Sequence, residues 1–313
     1  MKSRVWMSLI AIYLAWGSTY LAIHYAVQTI PPFFMTGTRF LVAGVILYGW
    51  RRLAGDPKPT LSQWRSGAII GSLLLVGGIG GVSWAEQYVP SGISALIIAA
   101  TPLWIVLIEA IRRGGSHPTR LTLIGVSIGL IGMFILVDPW SNVGTKTGIN
   151  LLGMVVLLLA ALAWSIGSIY SHSADLPKSA LMGTGVELLA GSGGSYLLGL
   201  VTGEASQFNL RSITLTSLGG LAYLVVVGSL IGFVCYTWLL RNAPTTLVVT
   251  YAYVNPLVAI LLGSLLANEV LTPGVLIAAP LILSAVLLIQ SKKTEKKVIQ
   301  GKLISITEAG GED

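Results

Sequence analysis

Apolar stretches near twenty residues long recur along the whole chain, at roughly 5–27, 33–50, 66–85, 91–111, 118–137, 149–170, 179–202, 213–239, 244–267 and 272–290. As α-helix such a stretch is about 30 Å long, enough to cross the hydrocarbon core of a bilayer. Lipid offers a backbone N–H or C=O no hydrogen bond, so each crossing has to be a helix that bonds to itself. The joints fit that constraint: PP at 31–32, GDPKP at 55–59, GGSHP at 114–118 and DPWSNVG at 138–144 are turn or helix-stop signals. The pattern predicts an all-α integral membrane protein with ten transmembrane helices.

Composition agrees. Of 313 residues 54% are apolar and 10% charged, where a soluble domain carries about a quarter charged residues. The formal net charge of +7 could mark a nucleic-acid surface, but its placement speaks for topology. Lys2, Arg4, Arg51, Arg52, Lys58, Arg65, Arg112, Arg113, Arg120, Lys178, Arg241 and the lysines at 292–302 all fall on one side of the ten predicted spans. Arg39 aside, only Lys146 and Arg211 fall on the other. Basic residues collect in cytoplasmic loops, so both termini are expected in the cytoplasm of a multi-pass inner-membrane protein, with no nucleic-acid partner. The first segment has no clean cleavage site and is read as a retained helix.

The chain also echoes itself. LAW at 14–16 returns at 162–164, GSTY at 17–20 as GSIY at 167–170, and TGTRFLVAG at 36–44 as TGVELLAGS at 184–192. The step from Pro90 to Pro102 equals that from Pro244 to Pro256. The expected organisation is a first repeat over 1–137, a connecting loop at 138–148, a second repeat over 149–290 and a cytoplasmic Lys-rich tail at 291–313. Five helices per half is an odd number, so the halves would enter the membrane from opposite faces. That is an inverted-topology repeat, with the substrate site at the repeat interface.

The echoed nonapeptides carry one ionisable residue each, Arg39 and Glu187. Charge within hydrocarbon is expensive, so both should face the bundle interior. Arg39 reads either as an anchor for an anion or carboxylate or as a tie to Glu187 or to carbonyls. Glu187 reads as a proton- or cation-coupling residue or as a structural partner. Trp16, Tyr20 and His24 share one face of the first helix, near Ser18 and Thr19, with Trp164, Ser168 and Tyr170 on the matching helix. That face lines a cavity for an amphipathic solute or packs as core, and His24 is either a wet residue or a proton-coupling group. Pro102 and Pro256 free a carbonyl inside their helices, and TYAYVNP at 250–256 places Tyr251, Tyr253 and Asn255 beside the second break. Glu86, Glu109 and Glu269 read as helix-end residues, and the pairs Gly67/Gly71, Gly77/Gly81, Gly125/Gly129 and Gly228/Gly232 as close helix contacts.

No P-loop, HExxH, CxxC or GxSxG appears, and Cys235 is the sole cysteine. His117 before Pro118 is a loop histidine. Neither an enzyme nor a cofactor or metal site is expected, and active transport would have to draw on a gradient.

WGSTY in the first helix, Arg39-Phe40, VPSGISALI–ATP at 89–102 and TTLVVTYAYVNPLVAILLG–NE at 245–269 resemble the EamA-type branch of the drug/metabolite transporter superfamily, over about residues 5–290. Within it the chain looks most like bacterial inner-membrane metabolite exporters. The resemblance implies a basket-like ten-helix transporter that opens alternately to each side around a central cavity lined by both halves. Members end helix 9 with Gly-Glu or a similar pair, here Asn268-Glu269. The matching place in the first half holds Gly115, a departure from that pattern. The expected function is secondary export of a small amphipathic metabolite, an amino acid or related zwitterion, by alternating access, with proton coupling as one option. An internal duplication makes a functional monomer plausible. Efflux of organic cations, a lipid-linked carrier or flippase, and a non-transporting scaffold or sensor are the alternatives.

Overall fold

The computed structural model describes residues 2–111, 119–137, 150–243, 245–248 and 250–288. The expected connecting loop 138–148, the tail 291–313 and Gly115, His117 and Pro118 lie outside the described residues. So does the side chain of Tyr253.

Among the described residues six helices are long and apolar enough to cross a membrane. They are α1 (Lys2–Ala26), α2 (Pro32–Leu53), α3 (Leu61–Ala85), α4 (Ser91–Ile111), α5 (Leu151–Ser171) and, following the helix α6 (Ala180–Val201), α7 (Leu215–Leu239). This corrects the expectation of ten transmembrane helices in two inverted five-helix repeats. Arg120–Leu136, Val254–Leu266 and Pro273–Leu288 are apolar but only 10–17 residues long. Helix α6 has the length, yet Glu187 and the Gly/Ser run at 191–195 dilute its apolar character. The stretch 244–267 is not one helix: a short helix Thr245–Val248 and a turn at Thr250 precede α8 (Tyr251–Leu266). Inversion of the halves rested on five full crossings in each, and that premise fails.

The helix starts follow from local chemistry. Thr60 and Gln63 form a capping box at α3, and Asn150, Ser179 and Thr214 cap α5, α6 and α7 with their side chains. Helices α2 and α4 begin after Pro31 and Pro90, which offer no side-chain cap. Distant carboxylates supply the missing acceptors. Glu204 accepts from the amides of Phe33 and Phe34 at 3.0 Å each. Glu269 accepts from those of Ser91 at 2.7 Å and Gly92 at 3.1 Å. Each glutamate follows a left-handed residue, Gly203 at φ 81° and Asn268 at φ 54°, which turns the chain back toward the helix end. An anion there also complements the helix dipole. Burial pushes the Glu204 carboxyl up from its ordinary range, against the pull of its two amide donors.

Pro102 breaks α4 at a turn on Ala100, and the Ile98 carbonyl, which Pro102 cannot serve, accepts from a backbone N–H of that turn and from Thr101 Oγ1 at 2.5 Å. Pro256 stays inside α8. Helices α3 and α7 each carry a π-helical stretch, Gly71–Gly80 and Leu224–Ile231, a geometry found at functional sites.

The two nonapeptides meet. Helices α2 and α6 pack along each other in antiparallel register, Phe34 against Gly199, Gly37 against Tyr196, Gly44 against Leu189 and Tyr48 against Gly185. Thr38 and Tyr196 share a hydrogen bond of 2.8 Å in the same register. Helix α3 closes on α6 where Gly67 faces Val186 and Gly71 faces the Glu187 backbone and Gly191. Gly77 and Gly81 likewise admit Ala163 and Ala160 of α5. The largest apolar core joins α1, α2, α3, α4 and α5 around Ala22, Met35, Ala85, Leu96 and Leu157.

A Cβ on Gly185 would stand 3.0 Å from the Tyr48 amide nitrogen, a backbone atom that cannot rotate away. Gly185→Val is therefore expected to destabilise by about 1–3 kcal/mol, read as a lower thermal midpoint in detergent. Gly193→Ala, on the same helix with open space around its Cβ, should leave that midpoint unchanged or raise it.

Candidate functional site

Arg39 is 3% exposed in the middle of α2. Its Nε donates to Ser229 Oγ at 3.0 Å, on the π-helical stretch of α7. Among the described residues the guanidinium makes no other hydrogen bond, and no carboxylate lies within 4.0 Å of it; the ion pair seen is Arg51 with Asp56, at 2.8 Å. The register of α2 and α6 explains why Glu187 does not reach it. Arg39 stands level with Gly194, and from 194 back to 187 is about 10 Å of helix axis. Glu187 is half-buried against α3, with its carbonyl beside Gly71, and its side chain accepts no hydrogen bond among the described residues. The structure does not bring Arg39 and Glu187 together.

It does bring Arg39 to Trp16. A Cβ on Gly228 would meet Arg39 Nη2 at 3.0 Å on one side and Thr19 Cγ2 at 2.8 Å on the other. The carbonyl of the same Gly228 accepts the Trp16 indole N–H at 3.0 Å. Gly232, one turn on, leaves room for the indole itself. Trp16 then stacks edge-on with Tyr251 of α8 at 4.9 Å, and contacts Tyr236 at 5.2 Å and Phe233 at 5.9 Å between ring centroids. Tyr20, one turn along α1, lies within electrostatic reach of Tyr251. Asn255 is 8% exposed with Oδ1 unpartnered, and its carbonyl lies against Gly17. Trp16, Tyr20, Arg39, Tyr251 and Asn255 thus gather where α1, α2, α7 and α8 meet. The arrangement presents a cation with bare donors beside aromatic faces and a buried amide oxygen.

Trp164 does not join them. It sits on Gly78 in the π-helical stretch of α3, as Trp16 sits on Gly228 and Gly232 in that of α7. Two turns toward the chain start from Trp16, a pocket of about 280 Å³ opens between α1 and α7, lined by Arg4, Met7, Ser8, Val234, Cys235 and Trp238.

Sequence reasoning missed Ser229, Phe233 and Tyr236, and read Gly228 and Gly232 as a helix-packing pair when they form the seat of Trp16. Glu204 was invisible to it, although Gly203-Glu204 mirrors Asn268-Glu269 in turn geometry and in capping role. Glu86 was read as a helix-end residue, yet it is 2% exposed.

The sequence pattern of the EamA-like transporter family matches this chain twice, over residues 4–138 and 151–291. An uncharacterized inner membrane transporter of Escherichia coli K12, YedA, is 36% identical over 286 residues, covering 90% of this chain and 89% of that one. Protein PecM of Dickeya dadantii is 26% identical over 279 residues and covers 88% of each chain. An uncharacterized transporter of Bacillus subtilis, YoaV, is 23% identical over 290 residues, 89% of this chain and 94% of that one. A protein of known crystal structure shares the fold with a TM-score of 0.59 at 20% identity, over 91% of this chain and 96% of the other.

A Cβ on Gly232 would collide with Trp16 Nε1. Gly232→Ala is expected to drive the indole off the Gly228 carbonyl and weaken the near-ultraviolet circular dichroism of the aromatic cluster. The same substitution in a Trp16→Phe background should change that signal far less.

Proposed function

The chain belongs to the EamA-like transporter family, and on that premise we propose that it exports an amino acid or related zwitterion from the cytoplasm by alternating access. Membership itself makes it a multi-pass inner-membrane transporter of small molecules, not an enzyme. The choice of cargo rests on one observation: a buried arginine whose partners, the Ser229 hydroxyl and the Phe40 ring, are both neutral. A guanidinium taken into a low-dielectric interior without a counter-ion is costly. A carboxylate arriving with the cargo supplies that counter-ion, and a guanidinium's planar fork is suited to hold it by two parallel N–H···O bonds. The faces of Trp16, Tyr236 and Tyr251 cover the apolar part of the molecule, and the Asn255 oxygen accepts from its ammonium. An organic cation would meet Arg39 with like charge.

Charge placement supports both termini in the cytoplasm, which puts the ends of α1 at Ala26 and of α8 at Leu266 toward the outer side. Two units divided near 138–150 are supported by the two separate family matches. Both halves of the site lie in one chain, in favour of a functional monomer.

Inside-out proteoliposomes given labelled threonine, homoserine, aromatic amino acids and methyl viologen, with and without a proton gradient, test the reading. Accumulation of an amino acid is expected, with Arg39→Lys weakening apparent affinity about ten- to hundredfold through loss of the second bond to the carboxylate. Viologen uptake without amino-acid uptake would overturn it in favour of cation efflux.

A further inference from the structure

A second polar cluster lies away from Arg39, where the end of α3 meets α1, α4 and the turn after α8. Glu86 closes α3 with its backbone N–H bonded to Val82 O at 2.9 Å. Its side chain is 2% exposed, and both carboxyl oxygens are buried with no hydrogen-bond partner. The main chain of His24 approaches them without forming a bond of acceptable geometry. His24 Nδ1 is also buried and unpartnered, as are Ser91 Oγ and Ser94 Oγ on the first turns of α4. The titratable groups within electrostatic reach of Glu86 are Tyr20 from α1 and Glu269 from the turn after α8, and His24 of α1 approaches it through its backbone. Helix α4 presents only the serine hydroxyls. The flanking part of α5, Gly153 to Ala160, presents no ionisable residue, and at the start of α2 Glu204 is engaged with Phe33 and Phe34. Among the described residues no cation faces Glu86, and the nearest charged group is a second carboxylate.

A carboxylate anion in that place would be desolvated, repelled by Glu269 and without a single donor. A carboxylic acid would be neutral and could offer its own O–H to an unpartnered acceptor. We propose that Glu86 is a proton-binding residue, loaded from the outer side, whose proton occupancy is felt at the Arg39 cluster through α1. The link is the face of α1 on which Trp16, Tyr20 and His24 recur at every fourth residue. Trp16 touches the aromatic cluster, Tyr20 lies within electrostatic reach of both Tyr251 and Glu86, and the backbone of His24 approaches Glu86. One proton from solution converts the carboxylate to the acid, and its release regenerates the carboxylate. The coupling to cargo rests on the export reading above, whereas the proton site stands without it.

Infrared spectra of folded wild type, Glu86→Gln and Glu269→Gln across pH address the proton site directly. The wild type should show a protonated-carboxyl absorption at neutral pH that persists in Glu269→Gln and is missing from Glu86→Gln. Identical spectra in all three overturn the proposal. Stabilisation of the wild type by sodium chloride over choline chloride, lost in Glu86→Gln, would overturn it in favour of a sodium site. Since glutamine replaces a neutral acid at equal size, Glu86→Gln should keep the wild-type thermal midpoint; should it not fold, Glu86→Asp must shift the carboxyl band instead. In proteoliposomes Glu86→Gln is expected to retain exchange of internal for external substrate and lose gradient-driven accumulation. Accumulation that persists overturns the coupling. A wild type that moves none of the panel sinks the export reading while the infrared result still decides the proton site.

Discussion

Hydrocarbon supplies no hydrogen bonds, so each polar group this protein buries has to find its partner within the chain. Most of the architecture is the working-out of that requirement. The amides that open α2 and α4 are unserved locally because proline precedes each helix, and Glu204 and Glu269 reach them from the far side of later helices. The Ile98 carbonyl, which Pro102 cannot serve, takes the Thr101 hydroxyl. Serine and threonine hydroxyls elsewhere bond back to the preceding turn, as Ser83, Ser165 and Ser168 do. Among the described residues some buried polar atoms go without, His24 Nδ1, Ser91 Oγ, Ser94 Oγ and Asn255 Oδ1 among them, and two groups that can carry a full charge lack an ionic partner. Arg39 has one neutral hydrogen-bond partner and Glu86 has none.

The close contacts that hold these exceptions in place are built on glycine. Side chains at Gly44 and Gly185 would push α2, which carries Arg39, from α6. Gly228 and Gly232 do something different. They let Trp16 lie flat enough on α7 for its N–H to take a backbone carbonyl, so the indole that lines the site also fixes the spacing of α1 and α7.

The sequence is legible where its signal is one-dimensional. Apolar run length, Pro/Gly punctuation and the placement of lysine and arginine predict an all-α membrane chain, and the quoted motifs predict the family. The shared face of Trp16 and Tyr20 follows from helical periodicity, and its juxtaposition with Arg39 and Tyr251 is present in the fold. What fails is whatever depends on rotation about a helix axis or on the length of ordered helix. Arg39 and Glu187 match in sequence, but antiparallel packing sets them about 10 Å apart along the axis and turns Glu187 toward α3. Ten apolar runs become six full-length spans among the described residues, with the run at 244–267 interrupted at Thr250 and α6 diluted by its Gly/Ser stretch. Glu86 defeats the reading for a third reason. A helix-end position is normally wet, and only the arrival of α1, α4 and the turn after α8 encloses it.

The two exceptional charges also explain why they are kept apart. A buried arginine next to a buried carboxylate would neutralise itself, and cargo would then have to break an ion pair in order to bind. Held against a serine hydroxyl, the guanidinium keeps its unmet demand for an anion, which a zwitterionic cargo would satisfy under the export reading proposed above. The carboxyl at Glu86 is spared the same problem if it carries a proton, since a neutral acid neither attracts the arginine nor needs a cation. Trp16 and His24 stand two turns apart on one face of α1, so the proposed proton site and the Arg39 cluster both border that helix.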